Sequence, residues 1–226
     1  MARVLFIHGL ESGPTGHKVR VLQAAGFDVV SMQMPCGRNA VLRDPVLWLI
    51  VAAAAAVVGG AAVTGGGWLA VVALIGVFLL APFARAGLTR RMFRRSIAVQ
   101  QHALLAHQID VVVGSSWGGA VGLALLQREM WCGPTVLLCP AHQLVAQRAM
   151  APRPTGLAAL PPLLAKQVVV VHGRQDDIVP VAHSEALVAD SASKLFLVDD
   201  DHRLSATATK ENLAAWVAHA FGSRSL

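Results

Sequence analysis

The sequence predicts an α/β fold, a mostly parallel sheet flanked by helices, with an inserted apolar helical hairpin. Three observations carry this. Short apolar runs such as Val168–Val171 alternate with helix-like stretches, the pattern of parallel βα units. Gly114-Ser115-Ser116-Trp117-Gly118 stands between a strand-like run and a helix-like run, where a sharp turn presenting a serine has to lie. Residues 46–84 contain no charged side chain.

Arg3–Ile7 reads as a buried first strand. His17–Ala25 is a helix closed by Gly26, and Phe27–Met34 a second strand stopped by Pro35. The loop Cys36–Asp44 leads into the uncharged run. Two apolar stretches, Val46–Val63 and Trp68–Phe83, flank Thr64-Gly65-Gly66-Gly67. At 1.5 Å per residue the first reaches about 27 Å, close to the roughly 30 Å of a bilayer core. Two such spans joined by a glycine turn make a membrane hairpin, with Pro82 blurring the end of the second. Thr89–His107 then reads as a helix with a basic start, Ile109–Val113 as a strand, Gly119–Met130 as a helix and Thr135–Leu138 as a strand. Residues 141–167 carry Pro152-Arg153-Pro154 and Pro161-Pro162 and read as a small irregular cap. Val168–Val171, the helix Ala182–Ala189, the strand Leu195–Val198 and the amphipathic helix Lys210–Phe221 complete the chain. The expected organisation is one discontinuous α/β domain, residues 1–44 and 86–226, interrupted by the hairpin at 45–85.

Composition agrees. At 226 residues one α/β domain is the natural size. A hydrophobic fraction of 55% and a mean hydropathy of +0.56 are high for a soluble domain, and the uncharged run accounts for the excess. Arg43 precedes that run, and Arg85, Arg90, Arg91, Arg94 and Arg95 follow it. Arginine-rich flanks stay on the cytoplasmic side, and a hairpin puts both flanks there. The expected location is the inner membrane with the α/β domain facing the cytoplasm. The formal charge of +6 points to anionic lipid headgroups as partners of residues near 46–84. No nucleic-acid partner is expected, since no binding motif accompanies the arginines. A buried hairpin or a greasy lid is the alternative, but the run lacks the polar face a lid needs. With a strand starting at residue 3, no cleavable leader is expected. Cys36, Cys132 and Cys139 are an odd set without metal-ligand spacing, so neither a metal nor a cofactor is expected, and the compartment reads as reducing.

Small residues around Ser116 suit a strained strand-to-helix turn that lifts the hydroxyl out of the sheet, with a helix N-terminus behind it to favour negative charge. A serine hydroxyl needs a base within hydrogen-bond reach. Nine histidines compete for that role, and His202 stands directly after the last strand. His8 and His172 precede glycines at strand ends and read as shaping turns, while His142 could line the pocket. Asp176 and Asp177 both end the strand at Val168–Val171 and compete as the acid. Asp199, Asp200 and Asp201 read as a solvated turn, though one of them could take the acid's place.

The stretches Val4-Leu5-Phe6-Ile7-His8-Gly9-Leu10-Glu11-Ser12-Gly13-Pro14, the Ser116 elbow, His172-Gly173-x-x-Asp176-x-x-Val179-Pro180 and Asp201-His202-Arg203-Leu204 resemble the α/β-hydrolase superfamily. The chain looks most like its small YqiA-like serine esterases with minimal caps, over nearly all of its length outside about 45–85. The resemblance implies the α/β-hydrolase fold and a triad of Ser116, His202 and Asp176, with Asp176 chosen over Asp177. It also implies an oxyanion hole from the backbone N–H groups of Leu10 and Trp117. The implied activity is that of a carboxylesterase or thioesterase acting on a small-molecule ester; the hairpin adds the expectation of a membrane tether, and proximity to the inner leaflet that of a lipophilic acyl group. An acyltransferase with the same triad and a non-catalytic membrane adaptor are the rivals.

Overall fold

Six parallel strands lie in the order β2-β1-β3-β4-β5-β6. In this computed structural model residues 1–10, 12–37 and 42–222 are described, Gly66 by its backbone alone. Glu11, within the first family-like stretch, and residues 38–41 of the expected loop Cys36–Asp44 lie outside the described residues. The strands are β1 (Arg3–Ile7), β2 (Asp28–Val30), β3 (Val111–Ser115), β4 (Thr135–Leu138), β5 (Val168–Gly173) and β6 (Lys194–Val198). The chain runs outward from β1 to β2, then returns to place β3 on the other side of β1. That reversal makes a crevice at the carboxyl ends of β1 and β3, where open α/β sheets hold their ligands.

The period of two along each strand sorts the core. Val4, Phe6, Val111, Val113, Val136, Leu138, Val169 and Val171 face one side, against helices α1 (His17–Ala24) and α8 (Lys210–Phe221). Leu5, Ile7 and Val112 face the other, against α4 (Trp117–Gln127). Leu137, Val168 and Val170 also face that side, together with Leu187 of α7 (Val181–Val188). The central strands are valine-rich and buried on both faces, as interior parallel strands have to be. The region expected to be an irregular cap holds α5 (His142–Arg148), a 3₁₀ turn at Leu157–Ala159 and α6 (Pro162–Ala165).

Between β2 and β3 the chain is helical over Pro45–Ala106, in two long apolar pieces: α2 (Pro45–Gly65) and α3 (Gly67–Ala106). Asp44 caps α2 by accepting from the Val46 N–H at 3.0 Å, with Pro45 at the first helical position. The same carboxylate lies 3.0 Å from Arg95 Nη1 and 3.4 Å from Arg91 Nε. Residues about fifty positions apart meet there, so the chain goes out along α2 and comes back along α3. The lengths match: 21 residues out is about 31 Å, and Gly67 to Arg91 is about 36 Å back. The reversal is sharp at Gly65. A Cβ there would fall 2.9 Å from Leu69 Cβ, although helical residues four apart hold their Cβ atoms about 5–6 Å from each other.

Two sequence expectations need adjusting. The second apolar arm does not end near Pro82; α3 runs through it and merges with the helix expected at Thr89–His107. Its distal half stays exposed, while Met92, Ser96, Ile97 and Ala103 bury against the sheet. Thr64 and Gly65 belong to α2 and Gly67 to α3, so the reversal is tighter than the glycine loop expected there.

Candidate active site

Ser116 sits at the junction of β3 and α4 with φ 56° and ψ −114°. A left-handed φ is unfavourable for any residue with a Cβ, and it is held here by its surroundings. The Ser116 N–H donates to Leu138 O at 2.8 Å, and Ser116 O accepts from Ala120 and Ala141, both at 3.1 Å. The turn closes because Gly118 has no side chain: a Cβ there would lie 1.9 Å from Ile7 O and 2.8 Å from His8 O. The strand-to-helix turn thus rests directly on the end of β1. The Trp117 side chain points away from the crevice, donating to Ser96 Oγ at 3.3 Å and meeting Phe93 edge-on with ring centres 5.6 Å apart.

The three residues expected from sequence come together. Ser116 Oγ lies 2.9 Å from His202 Nε2, and His202 Nδ1 lies 2.7 Å from Asp176 Oδ2. A carboxylate can only accept, so Nδ1 carries the proton and Nε2 accepts from the serine hydroxyl. The Asp176 side chain is fully buried, whereas His202 keeps a partly exposed edge. Asp177, its rival, is exposed. Burial pushes the Asp176 pKa up. The Val179 N–H, His202 and the Ile178 N–H outweigh that and hold it below the usual carboxylate value. Asp176 Oδ1 accepts from Ile178 at 2.9 Å and Val179 at 2.8 Å, which locks the carboxylate rotamer.

Sequence reasoning missed two supporting side chains. His172, read as shaping a turn, is fully buried with Nε2 2.9 Å from Val179 O and 3.1 Å from Asp176 Oδ2. Its Nδ1 lies 2.7 Å from Ser184 Oγ, so both ring nitrogens are held and the imidazole buttresses the acid. The expectation of a solvated Asp199–Asp201 turn fails at Asp200, which is buried. Its carboxylate accepts from Asp201 N, Ala206 N, Thr207 N and Thr207 Oγ1 and pins the loop that carries His202. The signal for Asp200 was Thr207, a short hydrogen-bonding partner a few residues on. His172 left no such trace, because its partners are a backbone carbonyl and a serine twelve residues away.

A cavity of about 510 Å³ opens on Ser116 and His202, walled by Gly9, Leu10, Ser12, Ile178 and Arg148 among others. Leu10 and Trp117 stand where the sequence puts them, after β1 and after Ser116. Neither backbone N–H donates a hydrogen bond among the described residues. His142 is buried and lines a separate cavity beside α4, not this one. Burial pushes its pKa down to about 4, so it is neutral at neutral pH. Cys139 Sγ comes within 4.8 Å of donor atoms of Asp176 and His202, the nearest approach to a metal-ligand set among the described residues. Burial pushes that thiol up to about 12, so it stays protonated and is a poor ligand, and the two other groups already bond each other.

No family model matches the chain, and no curated protein matches it. Solved structures do. A Xanthomonas campestris pv. campestris protein described as a hydrolase of the alpha/beta superfamily is 21% identical with a TM-score of 0.51, over 97% of this chain and 96% of that one. A meta-cleavage product hydrolase from Pseudomonas fluorescens IP01 is 14% identical with a TM-score of 0.55, over 97% and 90%. Alpha/beta hydrolase domain-containing protein 10 from mouse is 16% identical with a TM-score of 0.51, over 96% and 88%. At such identities the likeness establishes the fold: the chain has the α/β-hydrolase fold.

Proposed function

We propose that the protein is a membrane-tethered serine hydrolase, a minimally capped esterase that cleaves carboxylic esters or thioesters. The hydrogen-bonded line Ser116–His202–Asp176, with Ser116 in a strained turn at the mouth of a cavity, supports the reading most directly. His202 Nε2 takes the hydroxyl proton as Ser116 Oγ attacks the acyl carbon. Asp176 holds the Nδ1–H tautomer and stabilises the imidazolium. The tetrahedral oxyanion is received by the Leu10 and Trp117 N–H groups, at the start of α4, where a helix N-terminus favours negative charge. The C–O or C–S bond breaks, and His202 returns the proton to the leaving oxygen or sulfur. Water then attacks the acyl-serine carbon, gives its proton to His202, and releases the carboxylic acid and free Ser116.

The helix pair supports the tether. Both arms are long enough to cross a bilayer, and their apolar side chains are exposed, Leu49, Phe78, Leu79 and Leu80 among them. Trp48 sits near the body and Trp68 at the reversal, about 24 Å apart by helical rise and both exposed, so each end of the pair carries an indole suited to a membrane–water interface. Arg43, Arg85, Arg90 and Arg91 gather at the body end, which fits a domain on the cytoplasmic face of the inner membrane.

Two measurements test this. Ser116→Ala lowers turnover of p-nitrophenyl butyrate at least about a thousandfold, and retained turnover refutes the mechanism. Alkaline carbonate washing leaves the full chain in the membrane pellet, and release into the supernatant refutes the tether.

A further inference from the structure

The Ser116 cavity is walled by cations. Lys18, Arg148 and Arg203 line it, and among the described residues no carboxylate does. The Arg148 guanidinium, at the end of α5, makes no hydrogen bond or ion pair among the described residues, and the residue is exposed. It also lines a second cleft of about 490 Å³ between α5 and α3, whose walls include Phe78, Ala81, Pro82, Arg85 and Met150. That cleft is apolar toward the arm and cationic toward the body. Arg90 fixes its width by donating from Nε to Ala149 O at 2.6 Å and from Nη2 to Met150 O at 2.8 Å, which staples the end of α5 to α3. One guanidinium therefore borders both the apolar arm and the reactive serine.

We propose that the site takes long-chain acyl esters whose alcohol part carries a phosphate, drawn from the lipid leaflet along the α3–α5 cleft, with Arg148 gripping the anion. This rests on the serine-hydrolase reading and adds the substrate class to it. Charge complementarity argues for it: a guanidinium fork suits a phosphate, and nothing acidic among the described lining residues competes. The acyl chain lies along Phe78, Ala81 and Pro82 while the ester reaches Ser116 Oγ. The acyl–oxygen bond breaks, the leaving glycerophosphate oxygen takes its proton from His202, and water releases the fatty acid from Ser116.

The test uses the full chain in non-ionic detergent micelles with three probes: oleoyl glycerophosphate, oleoyl glycerol, and water-soluble acetyl glycerophosphate. The expected kcat/KM is at least about tenfold higher for oleoyl glycerophosphate than for oleoyl glycerol. Arg148→Gln brings that ratio close to one. Lys166→Gln, which removes an exposed cation outside both cavities, keeps it. Oleoyl glycerol turned over as well as its phosphate, or a ratio untouched by Arg148→Gln, overturns the proposal. Acetyl glycerophosphate turned over as fast as the oleoyl form overturns the leaflet route. No turnover of any ester, p-nitrophenyl acetate included, with Ser116 unlabelled by a fluorophosphonate, overturns the hydrolase reading itself and is distinct from these failures.

Discussion

The sheet rim and the apolar helix pair are opposite solutions to the same problem of placing polar groups. At the rim, Asp176, His172 and Asp200 are buried, and each is held by two to four hydrogen bonds with backbone or side-chain partners. Along the arms almost nothing is polar, and large apolar side chains stand exposed. The rim is fixed atom by atom, and one added methyl at Gly118 collides with backbone. The arms are fixed by composition and length, with open space around most of their glycines. A change at the rim should therefore act on chemistry or fold at once, whereas a comparable change on an arm should be absorbed.

The largest expected effect isolates chemistry at the rim. Ser116→Gly accepts φ 56° without a Cβ penalty, so turnover falls at least about a thousandfold while Tm holds or rises. A falling Tm would show that the serine is not the strained member of the turn. Next comes the contrast between two glycines. Gly118→Ala forces a methyl against Ile7 O and costs about 3 kcal/mol or more in chemical denaturation. Gly87→Ala on α3 meets nothing within 4 Å and stabilises by up to about 1 kcal/mol through helix propensity. Equal responses at the two would break the comparison.

A smaller effect depends on pH. His142 has a folded-state pKa of about 4 against 6.5 unfolded. Between those values the unfolded chain binds the extra proton, so this contribution is whole above pH 6.5 and drains as pH falls toward 4. Tm of the wild-type chain declines across that window, and His142→Gln flattens the decline. The Asp176 and Asp200 carboxyls, both held below 3.8, add a further loss only below about pH 4, as they protonate. The smallest effect is Ser96→Ala, which removes the acceptor of the Trp117 indole N–H and costs about 1 kcal/mol or less, read as a shift of the urea midpoint.

How much of this was legible in the sequence follows the same divide. β1 at Arg3–Ile7, β4 at Thr135–Leu138 and α8 at Lys210–Phe221 lie where the apolar periodicity places them. The apolar run predicts β3 at Ile109–Val113, yet the strand covers Val111–Ser115, because Gly114 and Ser115 continue the ladder beside Ile7 and Leu138 before the chain turns. Glycine looks like a turn signal; here the missing Cβ serves close packing inside a strand. Pro82 reads as a helix end, yet α3 passes through it, since a kinking residue need not break a helix whose other turns continue on both sides. Between Ala141 and Gln167 the elements are seven residues or shorter, too brief for any periodicity to register. At the site, strand ends single out Ser116, His202 and the pair Asp176 and Asp177, because each role demands a residue type at a fixed topological place, and the family resemblance chooses Asp176 from that pair. The support from His172 rests on a serine twelve residues on and a backbone carbonyl, which no local pattern encodes, whereas the Asp200 carboxylate bonds Asp201, Ala206 and Thr207, a short-range pattern masked by the run of three aspartates.

Fluorophosphonate labelling of the full chain in native membranes, followed by peptide mapping, tests the central claim most directly. The account predicts a single adduct on the peptide containing Ser116, abolished by His202→Ala. A folded, membrane-bound chain that takes no label there, or keeps its label without His202, contradicts it.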